Sequence, residues 1–445
     1  MVGPGQRRFS VFGSGPRAAA LGLAFAIAFL LAFGPQAAQA QTFQVIHNFT
    51  GLGDGSEPNY GITIDTVGNL YGTTFSGDAL TGTVYKLALK GSSWVLSPLY
   101  LFTYQGIGGS IPYATVIQGR DGSLYGTAAY GGDLQACPNG ATSGCGTVFN
   151  LRPLPSIPAT PLTPWNETVI HTFHNTDGAN AYGGDLIFDN AGNIYGTTYH
   201  GGTGTCPGGC GVVYELTPAG GGNWTQTVLY NFKQGSGDGA NPWTGVIFDQ
   251  AGNLYGTTVN GGASGAGAVY ELSPSESGWT EKVIYSFSGG ADGLSPYAGL
   301  VFDQSGNLYG ATVGGGTGNG GTVFKLTPSG GTWSLSTLYT FLGTGGQLAG
   351  GPFGRVLLGS NGNIYGAAFS DGLYGFGAAF KLTPSGGGYT YTSLHDFTGG
   401  LDGGHPRSYL VMDKNGNLYG ATTVGGTGNP TNCVGACGVV YEITP

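Results

Sequence analysis

The stretch "FDQAGNLYGTT" (Phe248–Thr258) recurs in seven copies along the chain and decides the fold. Its tyrosine, Tyr255, has counterparts at intervals of 54 to 70 residues. These counterparts are Tyr71, Tyr125, Tyr195, Tyr309, Tyr365 and Tyr419. A period of this size is typical of a solenoid, a propeller or an array, because each unit buries its apolar faces only against its neighbours.

Each unit contains four strand-like segments separated by Gly, Pro, Asn and Asp. Around Tyr255 they are "TGVIFD" (244–249), "NLYGTT" (253–258), "GAVYELSP" (267–274) and "WTEKVIYSF" (279–287). The last of these alternates apolar and polar residues, as a half-buried strand does. Helix is excluded because 91 glycines interrupt the chain and no apolar period of 3.6 residues survives.

The count of segments indicates how the units are arranged. The first and third segments each occur seven times, but the first copy of the fourth, "FQVIHNF" (43–49), precedes every first segment. The chain then ends in a third segment, "GVVYEITP" (438–445). We therefore predict an all-β, seven-bladed β-propeller of four-stranded blades, closed by the N-terminal strand completing the last blade. A β-solenoid is the alternative, but it needs no missing strand.

The repeated words themselves are interpreted as a turn between the first and second strands. An aspartate at its start accepts backbone N–H groups, and the following Gly and Asn take positive φ values. The aspartates at this place are Asp65, Asp189, Asp249, Asp303 and Asp413, with Gly119 and Gly359 in blades two and six. A calcium loop is the alternative, but the spacing of its oxygen ligands is not matched.

Residues 1–40 have the pattern of a signal peptide, and residues 41–445 are predicted to form the propeller. Arg7, Arg8 and Arg17 precede a sixteen-residue apolar run, and "AQA" ends at Ala40. The run is shorter than the roughly 18–20 residues of a membrane span, although an uncleaved anchor is an alternative. No other stretch is long and apolar enough to cross a bilayer, and no anchoring segment is expected at the carboxyl end.

Charge and cysteine usage limit the classes of partner. Loss of the leader leaves 11 basic against 23 acidic residues, a balance that repels nucleic acid and anionic lipid. Three close cysteine pairs predict three small disulfide loops in an exported protein. The pairs are Cys137 with Cys145, Cys206 with Cys210, and Cys433 with Cys437. A metal site is disfavoured because no histidine pair accompanies them, and no cofactor is expected.

The units resemble a known bacterial repeat. The words "GNLYGTT" and "GTVYKLTP", followed by Trp, "VLYSF" and an Asp–Gly, resemble the GloVer tandem repeat of "choice-of-anchor" exported proteins. The resemblance extends over essentially the whole chain after the leader. It implies an exported bacterial repeat protein, but it brings no known activity, substrate or catalytic residue.

Candidate ligand-binding residues lie in two sets of loops that open on one face of a propeller, here called the loop face. These loops join the fourth strand to the next first strand and the second strand to the third. The first set repeats an Asp–Gly pair, with aspartates at Asp54, Asp177, Asp238, Asp292 and Asp402. The Asp–Gly pair either supplies carboxylates to a ligand or forms a tight turn.

A large side chain, usually next to a proline, recurs shortly before the first strands. Aligned by blade, this position holds Asn59, Tyr113, Tyr182, Trp243, Tyr297, Phe353 and Arg407. Aromatic rings near carboxylates suit carbohydrate, because rings stack on sugar C–H surfaces and polar groups bind hydroxyls. The alternative interpretation is that these rings are wedges between blades.

The histidines favour packing over catalysis. Three of them, His47, His171 and His395, occupy a strand position where other blades have tyrosine, so we expect polar-tipped packing residues there. The remaining ones, His174, His200 and His405, are loop residues without an evident Ser or Cys nucleophile as partner.

The sequence leaves three functional hypotheses. The first is a non-catalytic exported scaffold, monomeric, secreted or retained in the periplasm or at the cell surface, that binds a glycan or an extracellular protein. The second is a secreted carbohydrate-active hydrolase or lyase using loop-face carboxylates, which needs two acids about 5–10 Å apart, one with a raised pKa. The third is a purely structural envelope protein.

Overall fold

The computed structural model contains seven four-stranded sheets, and Phe43–Thr444 form one compact unit. The structure describes residues 41–76, 80–103, 108–137, 144–154, 165–235, 237–276, 278–343, 350–429, 431, 433 and 437–444. Of the leader it describes residues 1, 3 and 5, so the predicted signal peptide lies outside the described residues.

Each blade has an inner, a second, a third and an outer strand. The inner strands are Thr63–Ile64, Ile117–Gln118, Ile187–Phe188, Ile247–Phe248, Val301–Phe302, Leu357–Leu358 and Val411–Met412. The second strands are Leu70–Thr74, Leu124–Ala128, Ile194–Thr198, Leu254–Thr258, Leu308–Thr312, Ile364–Ala368 and Leu418–Thr422. The third strands are Leu80–Lys90, Thr147–Arg152, Val212–Gly220, Ala268–Ser275, Asn319–Ser329, Ala378–Ser385 and Val439–Thr444.

The outer strands complete the seven sheets. In blades one to six they are Ser93–Thr103, Asn166–Thr172, Asn223–Asn231, Gly278–Ser286, Thr332–Leu342 and Gly388–Asp396. A short strand pair joins Gly239–Ala240 to Asn260–Gly261, and a 3-10 helix spans Ser360–Gly362. The predicted all-β propeller with four strands in each of seven blades is confirmed.

The N-terminal strand closes the ring. Thr42–Asn48 pairs with Val439–Thr444, so the last sheet takes its outer strand from the other end of the chain. The Gln44 side chain donates to a Glu442 carboxylate oxygen at 2.6 Å, and the Phe49 backbone N–H donates to the Gly438 carbonyl at 3.2 Å. Because of this pairing, the last blade has no open sheet edge at Val439–Thr444.

The inner strands are shorter than the sequence predicted. In blade four the expected strand over 244–249 is reduced to Ile247–Phe248. The residues before an inner strand also bond to the preceding blade, outside the ladder of their own sheet. For example, the Thr197 hydroxyl of blade three donates to the Thr244 carbonyl of blade four at 2.8 Å, and Thr257 donates in the same way to Ala298 at 3.2 Å.

The repeated turn is structural, as predicted. In blade four, one Asp249 carboxylate oxygen accepts the backbone N–H groups of Ala251 and Asn253, at 2.8 and 2.9 Å. The other accepts the Asn253 amide at 2.8 Å and the Tyr255 hydroxyl at 3.3 Å. All oxygens of the aspartate thus face groups of its own turn, which fixes the approach of the inner strand to the second strand.

The glycine after the motif tyrosine is required by packing. A Cβ on Gly256 would lie 2.3 Å from the hydroxyl of Tyr270, whose ring is fully buried in the third strand. The same contact recurs between Gly196 and Tyr214, at 2.5 Å. The third-strand ring therefore packs directly on the second-strand backbone, and any larger residue displaces it.

Candidate ligand-binding face

In six of the seven blades, the backbone before the inner strand is held in an uncommon conformation. Asn241, which precedes Pro242, has a φ of 59°. Its N–H donates to the Cys210 carbonyl of blade three at 2.7 Å, and its carbonyl accepts the Val259 N–H at 3.1 Å. Equivalent left-handed residues in other blades are Glu57, Ile111, Asn180, Ser295 and His405. Since left-handed non-glycine residues are rare, their repetition indicates an architectural role, which is to direct the next residues towards the channel mouth.

The residues that follow form a row of rings around the channel mouth, here called the aromatic belt. Its members are Tyr113, Tyr182, Trp243, Tyr297 and Phe353, and each is half-buried. Consecutive ring centroids lie 5.0 to 5.4 Å apart, and the Arg407 guanidinium lies 5.2 Å from the Phe353 ring centre. The structure thus brings together six of the predicted ligand-binding candidates.

Blade one contributes a neighbouring residue to this row. Asn59, at the aligned position, is buried with 6% of its surface exposed. Tyr60 instead places its ring 5.3 Å from Tyr113 and shares a hydrogen bond with Trp243 across the channel mouth. Burial raises the pKa of Tyr60, so its hydroxyl stays protonated.

Trp243 packs against several other rings. It stacks on Tyr182 with ring centroids 5.0 Å apart and an interplanar angle of 24°. Tyr297 and Tyr199 approach it edge-on at 5.0 and 5.3 Å, and Tyr113 does so at 6.4 Å. Four rings therefore surround Trp243, which favours the wedge interpretation for this residue.

The five loop aspartates are engaged within their own loops. Asp402 accepts the Thr398 N–H at 3.0 Å and bonds to His395 at 3.0 Å. The same pattern joins an outer-strand His or Tyr to each of the others, at 3.0 to 3.2 Å. These pairs are His47 with Asp54, His171 with Asp177, Tyr230 with Asp238, and Tyr285 with Asp292. The carboxylates anchor the loop to the outer strand, which supports the turn interpretation.

The pKa values of two of these aspartates, Asp292 and Asp238, reflect two opposing causes. Burial raises the pKa of Asp292, but hydrogen bonds from Ser288 and Tyr285 outweigh it and leave the pKa lowered. For Asp238 burial prevails over the bonds from Lys233 and Tyr230, and its pKa is raised. The groups around each of these two carboxylates therefore decide whether its pKa is raised or lowered.

The channel below the belt is closed by residues that the sequence analysis missed. The position ten residues before the motif tyrosine is glycine in three blades. In the other four it holds Thr115, Asp185, Arg355 and Tyr409. The Arg355 guanidinium bonds to Asp185 at 3.1 Å and stacks 3.8 Å from the Tyr409 ring centre. Burial raises the pKa of Asp185 even though the Arg355 charge opposes this.

Glycines in the adjacent blades make room for this cluster. A Cβ on Gly61 would lie 2.0 Å from the Tyr409 ring, and one on Gly245 would lie 1.9 Å from the Asp185 carbonyl. The space that remains beside Asp185 and Arg355 is about 50 Å³, enough for one or two waters. The cluster therefore leaves no room for a molecule much larger than water at this level of the channel.

A second concave site lies between blades two and three and also escaped the sequence analysis. It has a volume of about 340 Å³ and includes Tyr130, Asn180, Tyr182 and His200 in its lining. The sequence analysis placed His200 in a loop without an evident Ser or Cys nucleophile, and in the structure its ring bonds to the Asn180 amide at 3.2 Å. Because the site joins two blades, the repeat pattern within one blade gives no sign of it.

The three disulfides are confirmed, and all lie in loops from a second to a third strand. They join Cys137 to Cys145, Cys206 to Cys210, and Cys433 to Cys437. Within the described ranges, no group of three or more His, Cys, Asp or Glu side chains is placed to hold a metal ion. The same ranges contain no helix that is long and apolar enough to span a membrane.

Fold and covalent links together define the class: a seven-bladed, disulfide-bonded β-propeller with an aromatic belt on its loop face. The family model of the Gloeobacter/Verrucomicrobia repeat matches residues 135–353. The chain therefore carries the GloVer repeat over this segment, and the resemblance noted from its sequence is confirmed. No curated protein matches the sequence.

Solved structures with a similar fold are distant in sequence. An ulvan lyase of polysaccharide lyase family PL25 has 13% identity and a TM-score of 0.49, over 90% of this chain and 93% of that one. The NanB sialidase of Streptococcus pneumoniae has 12% identity and a TM-score of 0.43, over 90% of this chain and 70% of that one. A protein of unknown function from Dyadobacter fermentans has 12% identity and a TM-score of 0.43, over 76% of this chain and 95% of that one. Similarities of this size do not indicate what this chain binds.

Proposed function

We propose that this chain is an exported, non-catalytic propeller that binds a glycan on its loop face. The observation that carries the proposal is the aromatic belt, an unbroken row of half-buried rings around a closed channel mouth. Rings of this kind stack on the C–H faces of sugars, and their hydroxyl groups bond to sugar hydroxyls. Because the channel is blocked, the belt offers a broad surface suited to an extended chain.

The export part of the proposal has two supports. The first forty residues have the charge, length and small-residue ending of a cleaved leader. Three disulfides in one chain are typical of an oxidising compartment, such as the periplasm or the cell exterior. The acidic surface argues against nucleic acid and anionic membrane as partners.

Catalysis by paired loop-face carboxylates has less support. A glycosidase needs two acids that flank one bond, with different pKa values. The five loop aspartates occur once per blade, and each bonds to the outer strand next to its own loop. A protein ligand remains the alternative occupant of the belt, and it is an outcome of the same experiment.

The test is a glycan array probed with residues 41–445, followed by calorimetric titration of each saccharide that binds. Tyr297→Ala removes one belt ring between Trp243 and Phe353, and we expect it to weaken binding by about 1–3 kcal/mol. Tyr389→Ala is the matched control, because Tyr389 is also half-buried but lies at the start of the outer strand of blade six, outside the loops of the loop face. A hydrolysis and elimination assay on each bound saccharide tests the enzyme hypothesis. Absence of any bound saccharide, or equal loss in both variants, would refute the proposal.

A further inference from the structure

The site between blades two and three, here called the His–Tyr pocket, has the properties of a specific binding pocket. Its volume of about 340 Å³ lies in the range of small-molecule sites. One wall belongs to each blade, with Tyr130 from blade two and His200 from blade three. Neither the repeated turn nor the packing of the blades requires this combination, so it needs its own explanation.

The walls of the His–Tyr pocket are tied in place covalently. Cys137 lines one side and is bonded to Cys145, whereas Pro207 and Gly208 on the other side lie within the loop closed by Cys206 and Cys210. Gly208 has a φ of 80°, and a Cβ there would lie 3.2 Å from the His200 ring. The loop therefore approaches the histidine as closely as the backbone allows. A pocket with fixed walls loses little entropy when it binds a ligand.

The hydrogen bonds around His200 fix its tautomer. The Asn180 amide nitrogen donates to the Ala129 carbonyl at 2.9 Å, so the amide oxygen faces His200. His200 Nδ1, 3.2 Å from that oxygen, must then carry the proton, and Nε2 is left as an acceptor. Burial lowers the pKa of His200, which favours the neutral ring.

The two tyrosines supply the complementary donor. The Tyr130 and Tyr182 hydroxyls bond to each other at 2.9 Å, so one of their two protons is used and the other is available to a ligand. With His200 Nε2 as an acceptor, the lining offers both a donor and an acceptor. A sugar hydroxyl, which both donates and accepts, matches this pair.

The charge of the lining limits the ligand further. Among the described residues that line the His–Tyr pocket, none is a carboxylate, a lysine or an arginine. The charged groups on the same loops are mainly acidic: Asp133 and Asp177 flank His174, at 3.8 and 3.6 Å. A uronate or sulfate group would be repelled by these acids and would find no cation in the lining.

We propose that the His–Tyr pocket is the selective subsite of the loop face and takes one uncharged sugar residue. The proposal rests on the glycan-binding function above and names the class of sugar. Tyr182 connects the two surfaces, because its ring stacks on Trp243 in the belt while its hydroxyl faces the pocket. A glycan chain lies across the belt and places a terminal or branching neutral residue in the pocket.

The experiment measures calorimetric affinities of residues 41–445 for neutral oligosaccharides and for the same backbones carrying uronate or sulfate. Tyr130→Phe removes only the hydroxyl, and His200→Gln removes the ring acceptor; each is expected to weaken neutral binding about three- to tenfold. Tyr199→Phe, next to His200 but outside the lining, is the control and should leave the affinity unchanged. The neutral ligand should also shift the His200 ring signals in the NMR spectrum.

The possible results separate the two proposals. Equal or tighter binding of the acidic oligosaccharides would overturn the neutral subsite. Neutral binding that depends on Tyr297 but is indifferent to both pocket variants would overturn the subsite and leave the belt function standing. If no oligosaccharide binds, the glycan-binding function fails, and the subsite fails with it. Thermal melts of the variants check that each one is folded.

Discussion

Blades three and four are built from the same repeat, yet they differ on the loop face, in the loop from the second to the third strand. Both have the Asp–x–x–Gly–Asn turn, begun by Asp189 in one and Asp249 in the other, with the same bonds to the following Asn. On the loop face, blade three has a disulfide loop and His200 where blade four has Asn260. The two blades therefore share the turn, while the loop from the second to the third strand varies without loss of the architecture.

The largest effect is expected from opening the ring, a change that affects blades three and four equally. Deletion of residues 41–49 removes the outer strand of blade seven and leaves Val439–Thr444 with an open edge. Because a propeller is stable only as a closed ring, we expect aggregation or loss of the folded state. Gel filtration and thermal melting check this. A monomeric variant that melts like the parent would contradict closure as the source of stability.

Trp243 of blade four tests whether the belt also holds the fold together. Four rings contact it, so Trp243→Ala should lower the free energy of unfolding by about 3 kcal/mol. Denaturant melts measure the loss, with Tyr374→Ala as the exposed control. A melt like the parent's, combined with weaker glycan binding, would instead make Trp243 a ligand platform.

The channel cluster distinguishes blade three, with Asp185, from blade four, with Gly245 at the same position. Arg355→Ala deprives Asp185 of its cation and should cost about 2 kcal/mol of unfolding free energy. Asp185→Gly gives blade three the residue of blade four, and the double variant should lose less than the two single variants together. A double-mutant cycle in urea measures this coupling. Additive losses would show that the pair contributes nothing as a pair.

The smallest effect concerns one outer-strand position, which holds Gln226 in blade three and Glu281 in blade four. Burial, and then the negative charge of Asp238, raise the pKa of Glu281 from 4.5 to about 7. The folded state therefore keeps this proton more firmly than the unfolded state. Between pH 4.5 and 7 stability falls as pH rises, and the penalty persists above pH 7.

Glu281→Gln, which copies blade three, should remove this pH dependence. Because Glu281 is only partly buried, we expect a gain of about 1 kcal/mol at pH 8 and less at pH 5. Urea melts at both pH values measure it, with the exposed Glu276→Gln as control. The same shift in both variants, or none in Glu281→Gln, would argue against a buried proton at this position.

The contrast between the two blades also explains what the sequence could reveal. Seven copies of a motif identify the turn, the four strands and the displaced outer strand, since each feature repeats with a local physical cause. The disulfide pairs could also be predicted from the sequence, because the two cysteines of each pair are close in the chain. The belt residues were found because one large side chain recurs beside a proline.

The channel cluster and the His–Tyr pocket lack such a signal. Asp185, Arg355 and Tyr409 share one position in the repeat but differ in residue type, and their contacts cross the channel. Tyr130 and His200 come from different blades and meet only through the curvature of the ring. The inner strands were predicted too long because their first residues bond to the preceding blade, a contact that no single repeat encodes.

The pairing of the first strand with the last, which closes the ring, also has a consequence for the order of folding. Gln44 and Glu442, which bond across the junction, are 398 positions apart in the chain. During folding, the amino-terminal strand stays unpaired until Val439–Thr444 is in place. Pairing between segments so distant in the chain is slow. We therefore expect this pairing to be the step that closes the ring and completes the native fold.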